Sequence, residues 1–220
     1  MEYLNSKPSG VLTQDVIDMM DLKLRQVKKY ASLDPSNGWQ LESDKNGLKI
    51  HTRYDNSSGC RWVRGEAVIN GTPDDVERVL YSPTNEADYD DTRAESKTIE
   101  EISGYYFHYF RSKRPNFLVS PRDLVTCSRW IKEGETTYCF GASIKHPQMP
   151  DRAGLVRAEV LIWGYVLQPL LIDTNKTNVT YILGTDAKGS LPKPIVNLFI
   201  SKQAYGLLKI RDWIDKHPKQ

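Results

Sequence analysis

The seven histidines and cysteines of this sequence have side chains that could act as nucleophiles, bases or metal ligands. They are His51, His108, His146, His217, Cys60, Cys127 and Cys139. Their spacing matches no metal-binding motif, and the sequence has no serine-hydrolase elbow, P-loop or G-x-G-x-x-G segment. Cys127 and His108 could meet on adjacent strands, but neither has an obvious group to orient it. We therefore expect no catalytic site, no metal ion and no cofactor.

A loop with an apolar tip indicates a different kind of chemistry. The segment "RSKRPNFLVSPRD" (residues 111–123) places Phe117, Leu118 and Val119 between prolines and near four basic residues. An apolar tip with a basic collar suits insertion among lipid headgroups. The alternative is a loop that folds back on its own core.

The segment "SLPKPIVNLFISKQAYGLLKIRDWI" (residues 190–214) predicts one long C-terminal helix. Its first half is apolar almost all round, and Gln203 lies inside the apolar arc, where its amide needs a partner. Two interpretations stay open. The helix is buried on two sides with Gln203 bonded to backbone, or it closes a cavity and presents Ile195 and Leu198 to a membrane.

The remaining elements form an α+β pattern. Helical spacing covers residues 11–30, and Thr72 and Pro73 begin a short helix over 71–82. The acidic segment 85–95 is predicted to form a second short helix followed by a turn. Nine strand-like runs are separated by turn sequences, with no crossover helices between the last six, so the sheet should be antiparallel. These runs are residues 39–43, 48–54, 60–69, 97–102, 105–112, 123–131, 136–145, 155–170 and 178–187.

Composition narrows the function classes. The net charge of +2 and the absence of any basic run do not indicate a nucleic-acid-binding protein. The N-terminus has no signal-peptide pattern, and the longest apolar stretch (160–172) is too short for a membrane span of about 20 residues. An odd number of cysteines without metal spacing fits a reducing compartment. We expect a single domain over residues 1–220, cytoplasmic, with peripheral membrane contact.

Four segments in order resemble the START (StAR-related lipid-transfer) domain family. They are "SPRDLVTCSRW" (120–130), "KHPQMPDRAGLVRAE" (145–159), "GYVLQPL" (164–170) and "KTNVTYILGTDAKGSLPKPIVN" (176–197). The resemblance implies a helix-grip fold, in which a curved antiparallel sheet of about nine strands wraps around the C-terminal helix and encloses one lipid-sized tunnel. The second half looks most similar to the phosphatidylcholine-transfer branch.

This resemblance implies a monomeric, non-vesicular lipid carrier that touches membranes transiently, with a phospholipid favoured over a sterol. A lipid-sensing interaction module and a sterol or ceramide carrier are the alternatives. Departures from the branch leave the cargo open. Glu86 stands where the branch has an arginine before the acid that matches Asp90, and Ser128 stands where sterol-carrying relatives have a buried arginine. Tyr205 matches a tyrosine of ceramide-transfer relatives.

The resemblance, rather than strand alternation, selects the inward faces of the strands, because both faces are fairly apolar. His108 is expected to donate to a lipid phosphate or hydroxyl and to titrate near neutral pH, or else to be a bonded core histidine. Arg93 is expected at the surface, and Arg122–Asp123 and Arg157–Glu159 as structural ion pairs. Expected lipid contacts are Asp90, Tyr106, His108, Phe110, Leu124, Thr126, Ser128, Leu161, Trp163, Val196, Phe199, Ile200, Gln203, Tyr205 and Leu207. Expected membrane contacts are Phe117, Leu118, Val119, Ile195 and Leu198.

Overall fold

In the described part of the chain, nine strands lie side by side in one antiparallel sheet, as the sequence predicts, and a short tenth strand pairs with one of them. The computed structural model describes residues 10–81, 93–114, 119–191 and 193–217, without the side chains of residues 193–195 and 198. The strands are β1 (Gln40–Lys45), β2 (Leu48–Asp55), β3 (Cys60–Asn70), β4 (Arg93–Ile102), β5 (Tyr105–Ser112), β6 (Arg122–Glu133), β7 (Thr136–Ser143), β8 (Val156–Arg157), β9 (Glu159–Leu170) and β10 (Asp173–Asp186). Their order is β1-β2-β3-β10-β9-β7-β6-β5-β4, and the two-residue β8 pairs in parallel with β6.

Local sequence signals set the ends of several elements. The β1–β2 turn has positive φ at both Asn46 (56°) and Gly47 (73°), as expected of an Asn-Gly hairpin. At the start of the short helix, the Asp75 amide donates to the Thr72 hydroxyl at 3.3 Å, and the Thr72 amide donates to the Asp75 carboxylate at 3.0 Å. The N-cap predicted at Thr72 is therefore confirmed.

The helices pack on both faces of the sheet. Apolar residues of α1 (Gln14–Ala31), including Met20 and Val27, pack in a core with Phe140, Ile162 and Val166. On the opposite face lie α2 (Pro73–Tyr81) and the two C-terminal helices, α3 (Lys193–Gln203) and α4 (Gly206–Lys216). No helix in the described part of the chain is long and apolar enough to cross a membrane.

The predicted single C-terminal helix is in fact two helices. Between α3 and α4, the amides of Tyr205, Leu207 and Leu208 donate to carbonyls three residues earlier, at 3.1 Å each. These shorter steps replace the i to i−4 pattern and break the helix next to Gly206. The break was missed because the apolar spacing continues through it.

The C-terminal helices approach the sheet most closely at Gly65. A Cβ atom on Gly65 would lie 3.0 Å from the Ala204 Cβ and 3.2 Å from Leu207 Cδ1. Ala204 and Leu207 are almost fully buried in the same core, which continues through Ile210. This contact fixes α3 and α4 over β3.

Replacing Gly65 by valine should therefore destabilise the fold. The added side chain would overlap Ala204 and Leu207, and overpacking of this kind costs about 1–3 kcal/mol in the free energy of unfolding. Urea unfolding followed by circular dichroism would measure it. Gly206→Ala is the matched control, because nothing lies within 4 Å of a Cβ there. Equal stability of Gly65→Val and the parent protein would contradict the close approach.

Candidate functional site

A cavity of about 880 Å³ lies between the sheet and α3. This volume is in the upper part of the range of about 300–1,000 Å³ typical of small-molecule sites. One wall is formed by β4, β5 and β6, and the other by β9, β10 and α3. The apolar lining comes mostly from the second wall, where the lining residues are Val160, Trp163, Tyr181, Leu183, Val196, Phe199 and Ile200.

Strand register arranges the polar lining residues in rows. Thr98, His108 and Thr126 are direct partners across β4, β5 and β6. The next row pairs Tyr106 with Ser128, and it continues through Gly141 to Trp163. Because side chains in register on one face are neighbours, the wall formed by β4, β5 and β6 carries two adjacent rows of hydrogen-bonding groups.

Most of the predicted lipid contacts line this cavity. They are Tyr106, His108, Phe110, Leu124, Thr126, Ser128, Trp163, Val196, Phe199, Ile200 and Gln203. Val119, predicted to contact a membrane, lines the cavity as well. The structure thus brings these residues together around one space; their contact with a lipid stays a prediction.

Three predicted lipid contacts do not line the cavity. Gly184 pairs with Ile162 but Thr185 pairs with Val160, so Leu161 forms a β-bulge and Val160 takes the inward position. Leu207 is packed against Gly65, and Tyr205 lies in the turn after α3 with 46% of its surface exposed. A prediction based on regular strand alternation cannot reveal the bulge at Leu161. A prediction based on one continuous helix cannot reveal the turn at Tyr205.

Some predicted residues lie outside the described part of the chain. Asp90, Phe117 and Leu118 belong to this group, and so do the side chains of Ile195 and Leu198. Their predicted roles in lipid and membrane contact remain predictions from the sequence.

The arrangement does not support a Cys–His pair. His108 is in register with Thr126, whereas Cys127 is in register with Phe107 and packs in the core beside α1. The two side chains therefore lie on opposite faces of the sheet. Burial also raises the pKa of Cys127 to about 12, so its sulfur stays a thiol at neutral pH. The described residues contain no cluster of three metal-binding side chains either.

His108 lies between the aromatic rings of Tyr106 and Phe110. Its ring is stacked on Tyr106, with 6.3 Å between the ring centroids, and tilted against Phe110, with 5.8 Å between the centroids. Its Nδ1 atom is 3.4 Å from the Thr98 hydroxyl. Burial, with a smaller effect of Arg93, lowers the pKa of His108 to about 4. The expectation that His108 titrates near neutral pH is therefore wrong, because its ring is already uncharged at that pH.

This lowered pKa predicts a pH dependence of stability. As the pH falls from 6.5 towards 4, the unfolded chain takes up a proton at His108 and the folded protein does not. The free energy of unfolding should therefore fall across that window, by on the order of 2–3 kcal/mol from this residue. Urea unfolding at several pH values would measure the slope, and NMR titration of the ring would give its pKa.

In His108→Gln this contribution to the slope should disappear, because glutamine does not titrate. An unchanged slope in His108→Gln, or a ring that titrates near neutral pH, would contradict the buried neutral histidine.

The ion pairs differ from those expected. Arg157 binds Asp123 through two nitrogens at 2.8 and 3.0 Å, and Asp123 is only 1% exposed. Glu159 pairs with Lys188 at 2.9 Å rather than with Arg157. Arg93 lines the cavity instead of the outer surface, with its guanidinium 4.4 Å from the centre of the Phe110 ring.

Arg122 joins the two loops at one end of the cavity. Its Nη1 donates to the Ser120 carbonyl at 2.6 Å, and Nε and Nη2 donate to the carbonyls of Ala187 and Lys188 at 3.4 Å each. Its amide also donates to the Ser112 hydroxyl at 2.9 Å. Burial lowers the pKa of this guanidinium.

Arg122→Lys should loosen this junction while keeping the positive charge. Lysine has no planar fork that could reach three carbonyls in these directions. Amides of residues 119–122 and 187–191 should exchange with deuterium roughly tenfold faster, measured by mass spectrometry of peptides. Arg114→Lys is the control, because Arg114 is exposed. If both variants exchange like the parent protein, Arg122 does not hold the loops.

The sequence missed several lining residues. Val160 was hidden by the bulge, Leu183 lies in a strand whose inward face nothing in the sequence marks, and Ala187 lies in the loop that follows that strand. Arg111 was seen only as part of a basic collar, but it lines the cavity and pairs with Glu95 at 3.1 Å.

The sequence matches the START domain family over residues 22–215, and the chain belongs to that family. It is 28% identical to the steroidogenic acute regulatory protein, mitochondrial, of Danio rerio over 80% of this chain and 62% of that protein. It is 28% identical to StAR-related lipid transfer protein 5 of Mus musculus, over 76% and 81% of the two chains. This chain thus spans somewhat less than two thirds of the length of the Danio rerio protein.

The same fold is found in a solved structure of human StAR-related lipid transfer protein 5. The TM-score is 0.83 at 21% identity, and the alignment covers 93% of this chain and 99% of that one. The helix-grip fold expected from the sequence is therefore confirmed. The finer likeness to the phosphatidylcholine-transfer branch stays a prediction.

Proposed function

We propose that this protein is a non-vesicular lipid carrier, which holds one lipid in the cavity under α3 and moves it between membranes. The observation that carries the proposal is the cavity itself, about 880 Å³ in volume and largely apolar on the side of β9, β10 and α3. A space of this size and character suits the apolar body of a lipid.

Membership of the START family supports the same function, since a relative of known name is a lipid transfer protein. A carrier must let its cargo exchange between cavity and bilayer, and both surroundings are apolar. Most of the binding free energy of the lipid body therefore cancels, so polar contacts decide which lipid is taken. The preference for a phospholipid, which the sequence favours, stays a prediction.

Lipid sensing is the second candidate, because a sensor would use the same cavity. The two functions differ in turnover. A carrier moves many lipids per protein molecule from donor to acceptor vesicles, whereas a sensor binds one lipid and changes its affinity for a partner.

A transfer assay with a blocked cavity tests the proposal. Leu124 is half-buried on the cavity wall, so Leu124→Trp should fill part of the cavity with little loss of stability. Lipid retained after incubation with vesicles, measured by mass spectrometry, should fall several-fold, and vesicle-to-vesicle transfer should fall with it. Absence of transfer by the parent protein, with one lipid retained, would favour the sensor.

The apolar loop provides a separate comparison in the same assay. If Phe117 and Leu118 enter the bilayer, as the sequence predicts, Phe117→Asp with Leu118→Asp should slow transfer and leave the cavity loaded. Unchanged transfer in this double variant would remove the loop from the membrane contact without affecting the carrier function.

A further inference from the structure

The polar groups of the cavity differ in whether they already have partners. The charged ones do: Arg78 pairs with Asp75 at 3.1 Å, and Arg111 pairs with Glu95 at 3.1 Å. Arg122 donates to three carbonyls, as described above. These three charged side chains are therefore already bonded to other groups of the protein.

The remaining charged groups are engaged too. Lys97 lies 5.8 Å from the centre of the Tyr109 ring, and Arg93 lies over Phe110. Hydrogen bonding to Tyr81 raises the pKa of Tyr106, with a smaller contribution from Glu101, which places these three polar groups in one cluster.

Several neutral polar groups of the cavity lining have no hydrogen-bond partner within the described part of the protein. Among the residues that the structure describes, no hydrogen bond is found for the hydroxyls of Thr126 and Ser128, for Nε2 of His108 or for the amide of Gln203. Ser128 is only 4% exposed and lines the cavity, so its hydroxyl faces the space that a cargo would fill. Buried polar groups in folded proteins are almost always hydrogen-bonded. The cargo is the natural source of the missing partner.

The character of these groups limits the cargo. His108 is uncharged at neutral pH, because burial holds its pKa near 4. Together with two hydroxyls and an amide, it offers donors and acceptors but no net charge. A phosphate moved next to them would lose its hydration, and the nearby cation, Arg93, is already held over the Phe110 ring, so the transfer is unfavourable.

We infer that the cargo is an uncharged lipid, whose hydroxyl, alone or beside an ester or amide carbonyl, hydrogen-bonds to Ser128 and His108 in the middle of the cavity. This inference rests on the proposed carrier function and specifies its substrate class. It differs from the phospholipid that the sequence alone favoured.

The geometry also explains the serine at position 128. Ser128 is opposite Tyr106 in one row, and two residues along β6 lies Thr126, which is opposite His108 in the next row. A hydroxyl entering between the two rows can therefore meet a donor and an acceptor at once. A bulky cation at this position would occupy the same space and introduce a charge.

Competition between lipids tests the inference. The protein is incubated with vesicles that contain phosphatidylcholine, phosphatidylserine, diacylglycerol, ceramide and cholesterol in equal amounts, then repurified and its lipids measured by mass spectrometry. An uncharged lipid should be retained in preference to both phospholipids. Ser128→Ala and His108→Phe should each lower its retention by about three- to tenfold, as expected for the loss of one hydrogen bond.

Two control variants accompany this test. Ser143 is in register with Thr126, but its hydroxyl accepts the Val160 amide at 2.8 Å, so Ser143→Ala removes a structural bond and should leave lipid preference unchanged. The second variant, Arg111→Gln, removes a charge from the cavity lining and shows whether that charge contributes to the retention of a phospholipid. Thermal unfolding of each variant shows that it is folded.

The outcomes separate the inference from the proposed function. If a phospholipid is retained most, and Arg111→Gln lowers it whereas Ser128→Ala does not, the carrier function stands and the uncharged cargo is wrong. If an uncharged lipid is retained equally by Ser128→Ala and His108→Phe, the assigned site is wrong. If no lipid is retained above an unrelated control protein, the carrier function itself fails.

Discussion

The close contact between Ala204 and Gly65 determines where the cavity lies. A helix can approach a sheet this closely only where the strand has no side chain, and Gly65 supplies such a place on β3. Once α3 and α4 are held over β3, they cannot also cover β4, β5 and β6. In the described part of the chain, Tyr81 of α2 contacts Tyr106 and Trp130 on the inward face of those strands, and the cavity forms beside this contact.

The opposite face of the sheet is filled instead. A Cβ atom on Gly164 would lie 2.8 Å from Val27 of α1, so this helix sits directly on β9. Cys127 and Phe107 point into that core, while their neighbours His108 and Thr126 point into the cavity. One sheet thus separates a packed apolar core from a space with hydrogen-bonding groups, and the alternation of side chains along β5 and β6 creates the difference.

The neighbouring charged residues Arg122 and Asp123 also have different roles. The buried Asp123 is compensated by both nitrogens of the Arg157 fork, and hydrogen bonding to Asp123 raises the pKa of Arg157. Arg122, the residue before Asp123, is used differently: it ties together the loops on either side of the cavity end through carbonyl oxygens. Adjacent basic and acidic residues in "SPRD" therefore have separate partners, which neighbouring positions on a strand favour, since they face opposite sides.

The sequence by itself determined the family, the antiparallel sheet, the caps and turns at Thr72 and Asn46, and most of the residues that line the cavity. These features follow from local spacing or from motifs that keep their order along the chain. Only the tertiary structure decided that Val160 replaces Leu161 inside, that the last helix breaks before Gly206, and that Arg111 and Arg93 line the cavity. Each of these depends on register, on a close contact or on a partner distant in sequence, and the periodicity of a single segment carries no information about them.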